Sequence, residues 1–116
     1  MTSLSETLSL PVEIRNLVTE FKEETAVILG GDLDRVILYG SYARGDYDPE
    51  SDVDVIILLT KPIHTEKKSA ISDLVFRYLI DKGLLFSIIY YETSYYNEWK
   101  NHLDLFVFIE NEGVVI

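Results

Sequence analysis

Apolar positions along the chain recur first with a helical period, then in short continuous runs. From Pro11 onward, Val12, Ile14, Leu17, Val18, Phe21, Thr25, Ile28 and Leu29 fall close to 3.6-residue spacing, with Glu13, Arg15, Glu20, Lys22 and Glu23 opposite. Pro11 suits a first helical turn and Gly30-Gly31 a stop, so the spacing predicts a helix. "DRVILYG" reads as a short buried strand from Arg35 to Tyr39, ended by Gly40. "DVDVIILL" is a second strand, apolar enough after Asp54 to be central in a sheet, and Lys61-Pro62 closes it. Glu66 to Lys82 is helical, with Ile71, Leu74, Val75, Tyr78 and Leu79 on one face and Gly83 as the stop. "LLFSIIYYE" is a third strand, after which Thr93 or Ser94 can cap a short helix carrying Tyr95, Tyr96 and Trp99. The run Leu105–Ile109 fits a strand or a last helix ended by Gly113.

This order predicts a small α/β (or α+β) mixed sheet with helices packed mainly on one face. Residues 1–10, polar and rich in Ser and Thr, are expected to form a flexible N-terminus, and residues 11–116 a single domain. The first two strands are joined by a loop of about a dozen residues, too long for a tight hairpin. In so small a domain a loop of that length is expected to be functional.

Charge and composition narrow the chemistry. The chain has 116 residues, 20 acidic against 10 basic, for a formal charge of −10. That balance opposes a nonspecific grip on nucleic acid and suits cation binding or docking on a basic partner. With no cysteine, disulfides and thiolate metal sites are excluded. The start "MTSLSETLSLP" lacks the basic and apolar regions of a leader, and no apolar run approaches the roughly 18 residues of a membrane span. The cytoplasm is the expected compartment, with no membrane contact.

The loop carries the chemistry: "GSYARGDYDPESDVDVIILL". Strand alternation puts Asp52 and Asp54 on one face, where two like charges repel unless a cation lies between them. Paired hard oxygen ligands suit Mg²⁺ or Mn²⁺, with phosphates completing the shell. Gly40 lets the backbone approach a phosphate, and the N–H groups after it can donate to phosphate oxygens together with the Ser41 hydroxyl. Arg44 adds a cation. Together these parts describe a nucleoside triphosphate–metal site suited to in-line displacement. A bare D-x-D or Gly-Ser is ordinary turn chemistry; it is their conjunction across ten residues and a second apolar strand that singles them out. Asp46 and Asp48 read as turn residues, and the isolated His64 and His102 as solvated or structural. Tyr42 and Tyr47 lie where either could stack on a base. The aromatic run Tyr90, Tyr91, Tyr95, Tyr96 and Trp99 divides between core and a possible docking face.

This stretch resembles the G-S-x10-D-x-D signature of the DNA polymerase β-type nucleotidyltransferase superfamily, and most closely its minimal members, whose loop commonly reads G-S-x-A-R-G. The resemblance implies that Asp52 and Asp54 are catalytic and bind the metal, that Gly40 and Ser41 hold the triphosphate, and that Arg44 and Ser51 belong to the nucleotide-binding loop. It implies transfer of a nucleoside monophosphate from an NTP, ATP being the expected donor, to a hydroxyl. It further implies an antitoxin role beside a small helical HEPN-type ribonuclease toxin, which some members neutralise by attaching AMP. One position departs from the pattern. Ser87 stands where the superfamily has a third carboxylate, and Ser is a poor base and a weak ligand. Glu92 is five residues further along the same strand. The competing readings are therefore an active transferase modifying a partner and a catalytically weak antitoxin that blocks its partner sterically. A transferase acting on a small molecule is disfavoured, since residues 11–116 are expected to form a single domain, without a second one to hold such a substrate.

Overall fold

A computed structural model of the chain describes residues 2–3 and 10–116, with side chains from residue 10 onward. The expectation of a flexible N-terminus falls mostly on residues outside that range. At its edges, Thr2–Ser3 pairs with the last strand and Leu10 is buried.

The described elements run β1 (Thr2–Ser3), α1 (Val12–Leu29), a single 3₁₀ turn (Gly30–Asp32), β2 (Leu33–Tyr39), α2 (Ser41–Arg44), β3 (Val53–Leu59), α3 (Thr65–Lys82), β4 (Phe86–Glu92), α4 (Thr93–Trp99), α5 (Asp104–Glu112) and β5 (Val114–Val115). They form one mixed sheet in the order β1-β5-β2-β3-β4. β2 and β3 are antiparallel, with Tyr39 opposite Asp54. β3 and β4 are parallel, joined through α3, with Asp54 beside Ser87 and Leu59 beside Glu92. Tyr39, Asp54 and Ser87 thus form one row across the sheet.

The apolar run of β3 makes it the central strand: Val55 to Leu59 are all buried, because both faces are covered. On one face α1 and α3 contribute Val18, Phe21, Leu29, Ile71, Leu74 and Tyr78 against Val36, Leu38, Val53, Val55, Ile57 and Phe86. Phe21 stacks on Phe86 with ring centroids 3.9 Å apart and meets Tyr78 edge-on at 5.3 Å. On the other face Tyr96, Phe106 and Ile109 cover Ile37, Ile56 and Leu58. The two long helices, 18 residues each, do pack on one face. The opposite face is not bare, since the short α4 and α5 close part of it. The ambiguous run Leu105–Ile109 is helix: burial of Phe106 and Ile109 alone follows a three-residue step, which a strand cannot give.

One capping expectation is corrected. β4 runs into α4 without a linker, so Glu92 takes the capping position and Thr93 is already helical; neither Thr93 nor Ser94 caps. The Thr93 hydroxyl instead donates to Asp34 Oδ2 at 2.6 Å. Among the described residues no helix is long and apolar enough to cross a membrane.

The apolar stripe of α1 contains one polar intruder. Thr25 is fully buried, and its hydroxyl has no hydrogen-bond partner among the described residues. An unsatisfied buried hydroxyl costs about 1–3 kcal/mol. Thr25→Val, nearly isosteric, should therefore raise stability by about 1 kcal/mol or more in urea denaturation. A lower midpoint would mean that the hydroxyl has a partner in solution.

Candidate functional site

The site begins where β2 ends. Gly40 has φ +79° and ψ −156°, a conformation that side chains disfavour. A Cβ there would strike Asp54 Oδ2 and lie 3.3 Å from Asp54 Cγ. Only glycine lets the chain turn off the sheet while lying flush against that carboxylate. The single turn α2 follows, with Arg44 N–H donating to Gly40 O at 3.0 Å and Gly45 N–H to Ser41 O at 2.9 Å. Tyr42 is buried and stacks on Tyr47, centroids 4.1 Å apart and planes within 9°. Burial removes Tyr42 as a ring that could stack on a base, and its stacking on the part-exposed Tyr47 clamps the loop. The return is a built turn, in which Asp48 N–H donates to Ser51 Oγ, Ser51 N–H to Asp48 O (both 3.0 Å), and Glu50 N–H to Asp48 Oδ1 at 2.8 Å. Ser51 thereby fixes the chain just before Asp52.

Asp52 is exposed and Asp54 half-buried, with buried Val53 between them pointing to the opposite face. Both aspartates belong to the face that α4 and α5 partly cover. Burial raises the Asp54 pKa above its ordinary value; the charges of Asp52 and Glu112 push the same way, and Arg44 opposes them. Burial and the charge of Asp54 also push Tyr39, opposite it, up to about 12. Among the described residues neither aspartate has an ion-pair partner, and no group of three or more His, Asp or Glu side chains is placed to hold a metal. Two unpaired, mutually repelling carboxylates fit a hard divalent cation whose remaining ligands are water and phosphate.

Glu112, at the last position of α5, was not singled out from the sequence. Its Oε1 accepts from Gly40 N–H at 3.1 Å, and its two oxygens accept from Arg44 Nη1 at 3.2 and 3.1 Å. Arg44 Nε donates to Asp46 Oδ2 at 3.2 Å. The carboxylates of Asp46 and Glu112 raise the Arg44 pKa still further above its ordinary value. Glu112 is 72 residues from Gly40, beyond any local motif. The one available signal was a carboxylate at a helix C-terminus, where the helix dipole disfavours it.

Ser87 stands directly beside Asp54, and β4 parity turns it toward the same face. Glu92 cannot replace an acid there: it pairs with Leu59 at the other end of the strand, roughly 16 Å away for five residues of strand rise. The cleft of about 310 Å³ lined by Tyr90, Tyr91, Glu92 and Tyr95 also lies at that far end, away from the aspartates.

Because folding raises the Asp54 pKa, the folded chain keeps that proton to higher pH than the unfolded chain does. The stability belonging to the protonated form is lost as pH rises from the ordinary carboxylate value through the raised folded one. Asp54→Asn should therefore melt a few degrees higher than wild type at pH 7 without metal, with the gain vanishing below about pH 4. A lower melting point for the variant at pH 7 would overturn this account of the carboxylate.

Known proteins resemble this chain along most of its length. Residues 14–102 match the family model described as "Nucleotidyltransferase domain". The protein named "Putative protein adenylyltransferase MJ0141" from Methanocaldococcus jannaschii is 44% identical over 95 residues, 78% of this chain and 96% of the relative. A second protein of that organism, "Putative protein adenylyltransferase MJ0604", is 32% identical over 75 residues, 62% of this chain and 70% of the relative. A family model that matches most of the chain and a relative of 44% identity show that the chain belongs to the nucleotidyltransferase domain family.

Proposed function

We propose that this chain is a metal-dependent adenylyltransferase that moves AMP from ATP onto a hydroxyl of a partner protein. The observation that carries the reading is the contact of the Gly40 turn with Asp54, which brings phosphate donors and unpaired carboxylates to one place. The triphosphate lies along Gly40 and Ser41, with the Arg44 guanidinium a further donor to its oxygens and Ser51 holding the loop in shape. Asp52 and Asp54 hold Mg²⁺ or Mn²⁺, which when bound neutralises charge on the phosphates. The acceptor oxygen attacks the α-phosphorus, the bond from that phosphorus to the β-bridging oxygen breaks, pyrophosphate leaves, and the hydroxyl proton passes to solvent. The names of the relatives support protein adenylylation. The partner is a small helical HEPN-type toxin, which this chain restrains as an antitoxin in the cytoplasm. The charge of −10 and the exposed Tyr95, Trp99 and Phe108 support docking on a basic protein surface.

A second reading, a catalytically weak antitoxin acting by steric block, is favoured by one observation: Ser87 occupies the sheet position beside Asp54 where an acid would serve as base. Incubation with ATP, Mg²⁺ and the product of the adjacent gene separates the two. Transfer predicts nucleotide mass on the partner, reduced about 100-fold or more by Asp52→Asn or Asp54→Asn. If wild type and both variants neutralise the partner alike without ATP, the steric reading stands and the catalytic one fails. Ser87→Asp should raise transfer about tenfold or more if the missing base is limiting; an unchanged rate would remove Ser87 as the limit.

A further inference from the structure

We infer that the Glu112 carboxylate is an internal anion seated in the phosphate cradle, and that ATP must displace it to bind. The inference rests on the reading of Gly40–Ser41 as the triphosphate site. The donors that Glu112 engages are a buried backbone N–H at a positive-φ glycine and a guanidinium, which are also the groups that recognise phosphate. Both Glu112 oxygens share Arg44 Nη1, and Oε1 also takes the Gly40 N–H, so one carboxylate occupies both donor groups.

The seat is occupied but not locked. Glu112 is held at the C-terminal end of α5 against the helix dipole, and it lies close enough to Asp54 for the two charges to oppose each other. The Arg44 side chain is 47% exposed and that of Glu112 20% exposed, so the ion pair is open to water and ions on one side. A triphosphate brings more charge and more acceptor oxygens to the same donors than one carboxylate does. Glu112 therefore acts as a positioning residue. Without nucleotide it keeps the Gly40 turn and Arg44 in their binding arrangement, and it lowers apparent affinity by the strength of its own contacts.

Glu112→Gln tests this directly, since the amide keeps the shape and can still accept from Gly40 N–H but loses the charge. Titration calorimetry with MgATP and with inorganic tripolyphosphate should show the variant binding about three- to tenfold tighter than wild type. A role confined to stability would lower the melting point and leave binding equal or weaker, which overturns the inference. If the variant folds poorly, wild type still decides. Selective ¹³C labelling should show the Glu112 carboxyl resonance moving as ligand saturates, in step with the Gly40 amide. A Glu112 resonance that stays fixed while the Gly40 and Ser41 amides respond overturns the displaced carboxylate alone. Absence of ligand binding by both proteins overturns the Gly40–Ser41 reading together with it.

Discussion

The contact between the Gly40 backbone and the Asp54 side chain is the constraint around which the site is arranged. β2 must end, reverse and leave the sheet within one residue, and that residue touches the carboxylate on the neighbouring strand. A glycine with positive φ meets both demands at once, which a side-chain-bearing residue cannot. From that contact the loop's remaining features follow. The turn α2 presents Arg44, the Tyr42–Tyr47 stack ties the loop to the core, and the Asp48–Ser51 turn returns the chain in register for Asp52 and Asp54 to share a face.

The electrostatics are deliberately unbalanced around this contact. Asp54 feels the like charges of Asp52 and Glu112 with Arg44 opposing them, while Arg44 is itself bonded to Glu112 and Asp46. At the other end of the sheet the same acidic chain behaves differently. Asp32 accepts from Lys67 at 2.7 Å and lies 3.3 Å from Lys61, and its pKa is lowered, chiefly by the bond to Lys67. One acid is thus neutralised within the fold, while Asp54 is left raised and unpaired. Perturbed carboxylates in that state mark places where charge is expected to arrive from outside.

Much of this was legible in the chain because the signals were local. The period of α1 and α3, the apolar runs of β2, β3 and β4, and the Gly-Ser and Asp-x-Asp spacing each depend on residues a few positions apart. Thr93 misled because its capping chemistry assumes a linker, and β4 enters α4 without one. Tyr42 misled because a loop aromatic reads as exposed until its stacking partner is known. The helical state of Leu105–Ile109 was decided by which two residues Ile37, Ile56 and Leu58 needed above them, a demand set by distant strands. Glu112 was invisible for the same reason: its partners are 68 and 72 residues away, and no sequence pattern records a pairing formed only when β5 lies down beside β2.

Ser87 acquires a physical reason when seen beside this charge arrangement. It adjoins Asp54, whose carboxylate already bears the repulsion of Asp52 and Glu112 in a half-buried setting. An acid at Ser87 would add another like charge on the same face, raising the cost of the metal-free fold. This chain instead keeps a neutral hydroxyl there and places a carboxylate at Glu112, on the far side of Gly40, where Arg44 and a backbone N–H compensate it. The arrangement leaves one acidic group on that face held by hydrogen bonds and spares Asp54 a further like charge from its neighbour on β4.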